Sequence, residues 1–243
     1  MIFANVRHSL TRDDAQLALR LIARGSGNAQ DEAEVKLRDQ GFDALLDDPA
    51  LLGALLDGSL GARASLPFFC YVVVRNALLR VGECDRAMAD YLSAIVLHFG
   101  VRDNAHRIGI ADDERYDTIA ALLRDADGPD PRRAFLVRAH LGNYALWISG
   151  LFPDHIEQKR WRKGGPDLGY YEEMGKRGFL LAADHRLAES YGMAAIFQGA
   201  AERFGRLRVA LNVVSDAMLF PNVHTPERLM RQVRDESLWR NAS

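Results

Sequence analysis

Two cysteines in 243 residues, Cys70 and Cys84, are too few for a disulfide framework or a cysteine-based zinc site. Cys70 lies in a strongly apolar run, where a thiol acts as a small hydrophobe, and both thiols read as reduced. That pattern sets the expectation of a cytoplasmic protein. The N-terminus, MIFANVRHSLTRDD, carries no apolar stretch of signal-peptide length. Uncharged windows also stop short of the ~18–20 residues needed for a membrane span. The best of them, around Pro67–Leu79, is interrupted by Arg75 and Asn76. The sequence has no HExxH, GxSxG, GxxxxGK[ST] or GxGxxG, which removes the common zinc-hydrolase, serine-hydrolase and nucleotide signatures. It also has no Glu-x-x-His pair, so a ferritin-like di-metal bundle lacks its ligands, and no metal is expected. Asn-Gly and Asp-Gly hairpin signals are few. A net charge of −2 leaves no overall field to recruit nucleic acid or an anionic membrane.

What is there is ordinary globular material, 48% hydrophobic and 26% charged, enough for a core. Charge is unevenly spread. Residues 1–60 hold six Lys/Arg against ten Asp/Glu, and residues 131–163 hold seven against two. Thr11-Arg-Asp-Asp14 reads as a capped helix start with acids in its first turn. A charged helix follows from about Gln30 to Leu46, and Asp48-Pro49 opens another with proline at its first position. Residues 67–81 and 87–99 are apolar on nearly every side and belong at a centre. Asp112-Asp113-Glu114 is expected to open an amphipathic helix, and a long helix is expected from Pro131 to Phe152. Further helices are read over 167–177, 179–191, 191–204 and 206–219, then an exposed one after Thr225 and a loose tail after Ser237. Residues 206–213 alternate as a strand would, but their long, sparsely punctuated surroundings favour helix. The expected fold is all-α: one multi-helix domain over 1–243, with a hairpin at 11–58 outside, a core at 66–220, and a C-terminal helix and tail at 221–243.

Chemistry-bearing side chains gather in a few places. On the helix through HLGNYALWISGLFP, His140, Tyr144, Trp147 and Leu151 share one face, while Gly142, Ala145 and Ser149 are small enough to admit another helix. His140 reads either as a satisfied core histidine or as the wall of a pocket. Arg208, Asn212 and Asp216 form an i, i+4, i+8 stripe among apolar residues. It is either a narrow solvent-facing strip or an internal network, and Arg75 with Asp90 is the first expectation for a structural ion pair. The ligand-pocket candidates are therefore Arg75, Asp90, His140, Tyr144, Arg208, Asn212 and Asp216. Lys159, Arg160, Trp161, Arg162 and Lys163, followed by two glycines, read as a basic loop able to grip phosphate and stack a base. Asp112, Asp113 and Asp117 have a DDxxxD spacing, but no second metal motif accompanies them.

Neither substrate, reaction nor cofactor is named by these residues. The first functional expectation is a helical interaction or regulatory module, compatible with a homodimer. The alternatives are a small-molecule pocket lined by His140, Tyr144, Arg208, Asn212 and Asp216, and a nucleic-acid accessory role for 159–163.

Overall fold

The computed structural model describes residues 1–25, 27–57, 61–101, 103–109 and 114–240, side chains 25, 27 and 237–240 excepted. Among these residues there are fourteen α-helices and no strand, so the fold is all-α. None of these helices is long and apolar enough to cross a membrane. The chain divides into two compact units, Ala4–Leu97 on one side and Met1–Phe3 with His98–Ser243 on the other.

The N-terminal unit holds α1 (Arg12–Ile22), α2 (Gly27–Gln40), α3 (Phe42–Leu46), α4 (Pro49–Leu56), α5 (Leu66–Arg80) and most of α6 (Arg86–Gly100). Thr11 and Asp14 form a reciprocal capping box at α1. The expected 30–46 helix is in fact two, because Gly41 sits at φ 80°, a backbone conformation that ends α2. Asp48 accepts from the Ala50 N–H to cap α4, and Ser65 accepts from the Phe68 N–H to cap α5. The side chains of α5 from Cys70 through Leu78 are buried, as are Tyr91 and Leu92 on α6.

The C-terminal unit is organised around α8 (Pro131–Leu151), with α7 (Ile119–Ala126), α9 (Pro153–Lys163), α10 (Leu168–Ala183), α11 (Arg186–Ser190), α12 (Ala194–Glu202), α13 (Phe204–Val214) and α14 (Pro226–Arg240). Asp130 caps α8 on the Arg132 N–H. The small residues of α8 do admit another helix. A Cβ on Gly142 would lie 2.5 Å from the Phe179 ring, and one on Gly178 would lie 2.9 Å from the Arg138 carbonyl oxygen. This intimate α8–α10 contact explains why Gly178 does not break α10, contrary to the expected boundary: its missing side chain lets the two backbones touch. On another side of α8, Gly150 packs beneath Leu211 of α13.

Other boundaries also differ from expectation. Residues 114–117 are not helical, and α7 starts only where Thr118 accepts from the Ala121 N–H. Asp112 and Asp113 of the DDxxxD spacing lie outside the described residues. Residues 206–213 are helical within α13, which passes into a π-helical turn at Ser215–Leu219, closed by the Phe220 N–H on the Ser215 carbonyl at 2.9 Å. Lys159–Lys163 is not a loop but the last turn of α9. Pro153 opens that helix, and Gly164 closes it at φ 64° with its N–H on the Arg160 carbonyl. Cations are favoured at that end of a helix dipole, so the basic cluster has a local structural reason.

Candidate functional site

The stripe on α13 is not a solvent-facing strip. Arg208 and Asn212 are buried, and each has a structural partner set. Asn212 Nδ2 donates to the carbonyls of Ser149 at 2.9 Å and Gly150 at 2.6 Å, and Ser215 Oγ donates to Leu151 O at 2.7 Å. The last carbonyls of α8 have no intrahelical donor, so α13 caps the C-terminus of α8 from the side. Arg208 Nη1 donates to Asn212 Oδ1 at 2.7 Å, and its Nη2 donates to Asp235 Oδ1 at 3.0 Å, with Glu172 at 3.5 Å from Nε. Asp216 instead accepts from Arg231 Nη2 at 2.7 Å and Gln232 at 2.8 Å, with Arg228 Nη2 also at 2.7 Å. Arg228 and Arg231 further face Asp154 on α9, at 3.2 and 3.6 Å. These groups join α8, α9, α13 and α14 through ionic and hydrogen-bonded contacts.

Arg75 and Asp90 do not pair with each other. Arg75 Nε donates to Asp47 Oδ1 at 2.6 Å, and its Nη1 donates to the Cys84 carbonyl at 2.9 Å. Burial alone would raise the Asp47 carboxyl, but its bonds to Arg75 and Arg86 hold it below its ordinary value. Asp90 is already occupied by the Arg7 backbone N–H at 2.7 Å, and burial pushes its carboxyl above the usual range. Both residues belong to the N-terminal unit, whereas His140, Tyr144, Arg208, Asn212 and Asp216 belong to the C-terminal one.

His140 is buried, and its Nε2–H donates to the Ala105 carbonyl at 3.0 Å. Its ring packs beside Phe99, at 5.3 Å between centroids. Burial lowers its pKa to about 4, so the ring is neutral at neutral pH. The cavity it borders, with Met1 and His98, is only about 10 Å³, at the lower limit for a single water.

One turn further along the same helix face the situation changes. Tyr144 and Trp147 line a half-open cavity of about 520 Å³, a size typical of small-molecule sites. Phe152 also lines it, with its ring 5.0 Å from that of Trp147, as do Tyr170 and Tyr171 on α10, whose rings are at right angles to each other. These five aromatic side chains line it together with Ile119, Ile148 and Pro166. Burial raises the Tyr144 hydroxyl to about 12, so it stays protonated and can donate.

Polar groups enter from two directions. From the chain before α7 come His106 and Asp117. His106 Nδ1 lies 3.1 Å from the Tyr116 carbonyl and 3.3 Å from Asp117 Oδ1, and Asp117 also accepts from Arg115 Nε at 2.9 Å. With its proton on Nδ1, directed at those oxygens, His106 keeps the Nε2 lone pair free to accept from a ligand. From α9 come His155 and Lys159, four residues apart and hence on one helix face. Among the described residues neither side chain has a hydrogen-bond or ion-pair partner.

Of the residues singled out in the sequence, the cavity brings together Asp117, Tyr144, Trp147 and Lys159, and it joins them to His106, His155, Tyr170 and Tyr171. The rest of the basic cluster points elsewhere. Arg160 lies 3.8 Å from Glu157 and 5.9 Å from the Trp161 ring centroid, and Trp161 and Arg162 border a separate 170 Å³ depression with Asp154, Glu157 and Glu227. Three carboxylates beside that cluster oppose a polyanion. A usable signal was aromatic density: residues 144–171 contain six of the chain's 21 aromatic side chains. Among the described residues no three His, Cys, Asp or Glu side chains gather as a metal site. Comparison with protein-family models, with curated proteins and with solved structures gave no match.

Proposed function

We propose that the C-terminal unit binds a small, ring-bearing organic molecule in the cleft between α7, α8, α9 and α10. The supporting observation is the cavity of about 520 Å³ whose walls include Tyr144, Trp147, Phe152, Tyr170 and Tyr171. Aromatic walls at this density favour a flat ligand, because offset-stacked and edge-to-face contacts add to simple area burial. His106, Thr118 and Lys159 at the margins would fix its orientation. The test uses the neutral fluorophore N-phenyl-1-naphthylamine. Saturable one-site fluorescence enhancement is expected, weakened about tenfold, or ~1.4 kcal/mol, in Tyr170→Ala and in Trp147→Ala. Absence of saturation, or affinity in both variants equal to that of the wild type, overturns the reading. The two free thiols support a reducing, cytoplasmic setting for this role.

A second reading, self-association, is favoured by the surface of α14. Leu229, Met230 and Val233 are 56%, 74% and 67% exposed, while Arg228, Arg231 and Asp235 of the same helix are buried. Apolar side chains turned outward as a group suit a protein partner, and a second copy of the chain is the simplest one.

A further inference from the structure

Resting on the reading of the cleft as a ring-binding site, we infer that its ligand is an organic anion, an aromatic acid whose acid group is held by His155 and Lys159. Lys159 carries a full charge and three donors; His155, one turn before it on α9, adds a ring donor on the same face. Among the described residues neither side chain is neutralised by an ion pair. The acids of α9 that lie nearest in sequence are engaged: Asp154 faces Arg228 and Arg231, and Glu157 faces Arg160. The lining carboxylate, Asp117, is bonded to Arg115 and placed against His106. The first turn of α7 reinforces the sign. Ile119 and Ala120 line the cavity, and backbone N–H groups at that position in a helix have no intrahelical acceptor. An apolar cleft ending in an unpaired cation and a donor matches a flat ring system that ends in a carboxylate, sulfonate or phosphate.

The experiment compares two near-identical probes, N-phenyl-1-naphthylamine and its sulfonated counterpart 8-anilinonaphthalene-1-sulfonate, by fluorescence titration. The sulfonate is expected to bind at least tenfold tighter at low salt. Lys159→Met is expected to remove most of that advantage and His155→Gln a smaller part, with the neutral probe unaffected by either and Lys159→Arg restoring the preference. If the neutral probe saturates and the sulfonate binds no better, the anion assignment falls while the ring-binding reading stands. If neither probe saturates, both fall. Sulfonate binding that is tight but indifferent to Lys159 places the dye elsewhere and overturns the inference. Both substituted side chains are exposed and lack partners among the described residues, so the variants are expected to fold.

Discussion

His140 shows how one side chain can look functional and be held by packing. A histidine needs either water or a partner for its ring nitrogens; here the Ala105 carbonyl takes the Nε2–H and Phe99 covers the ring. Burial lowers its folded pKa to about 4, below the ~6.5 of an unfolded chain. The native state therefore resists protonation that the unfolded state accepts. Stability from this group is whole above pH ~6.5 and falls as pH drops towards 4. Between pH 7 and pH 5 the loss is about 2 kcal/mol, from ~1.4 kcal/mol per unit of pKa difference. Urea unfolding at the two pH values measures it, as the difference between the wild type and His140→Gln. An equal pH response in both proteins would mean that His140 titrates normally. The sequence located this residue and left both of its roles open, because nothing in HLGNYALWISGLFP says that a carbonyl 35 residues earlier lies within reach.

At the scale of elements, most starts were legible because caps are local. Thr11, Asp48, Ser65 and Asp130 each hold an N–H within three residues of themselves, so four letters suffice to place them. What was not legible depended on partners distant in sequence. Gly178 reads as a break and is instead the point where α10 rests on α8, and Arg208–Asn212 reads either as a solvated strip or as an internal network until tertiary contacts show Asn212 serving the end of α8. The cavity was half-legible for the same reason. Its aromatics cluster between 144 and 171, but His106 and Asp117 join from before α7 by tertiary folding alone. Two substitutions test the element contacts. Gly142→Ala places a methyl 2.5 Å from the Phe179 ring and is expected to cost about 1–3 kcal/mol by overpacking. Asn212→Leu leaves the Ser149 and Gly150 carbonyls without their side-chain donor and Arg208 without one acceptor, with an expected cost of about 2–4 kcal/mol. Thermal unfolding followed by circular dichroism reads both. A near-neutral Asn212→Leu would show that solvent replaces the cap at no cost.

For the whole molecule, the feature with the widest consequence is the inverted polarity of α14. A surface helix ordinarily buries its apolar stripe and shows its charges. Here Arg228 and Arg231 meet Asp154 and Asp216, and Asp235 meets Arg208, while Leu229, Met230 and Val233 face outward. Salt acts differently on the two faces. Ions screen exposed charge pairs but penetrate little to buried ones, so the inner face should stay attached at moderate ionic strength. Sulfate strengthens burial of apolar surface, so association through the outer face should tighten. Self-association driven by charge would weaken under the same change. Sedimentation equilibrium is therefore expected to show a dimer whose dissociation constant falls as sodium sulfate rises from about 50 to about 500 mM, the Debye length shrinking well below ~10 Å over that range. Met230→Glu, which puts a charge into the middle of the outer stripe, is expected to return the protein to monomer without altering dye binding in the cleft. A protein that stays monomeric throughout, or whose dimer dissociates on adding sulfate, would remove α14 as the contact. A dimer unaffected by Met230→Glu would place the contact on another face.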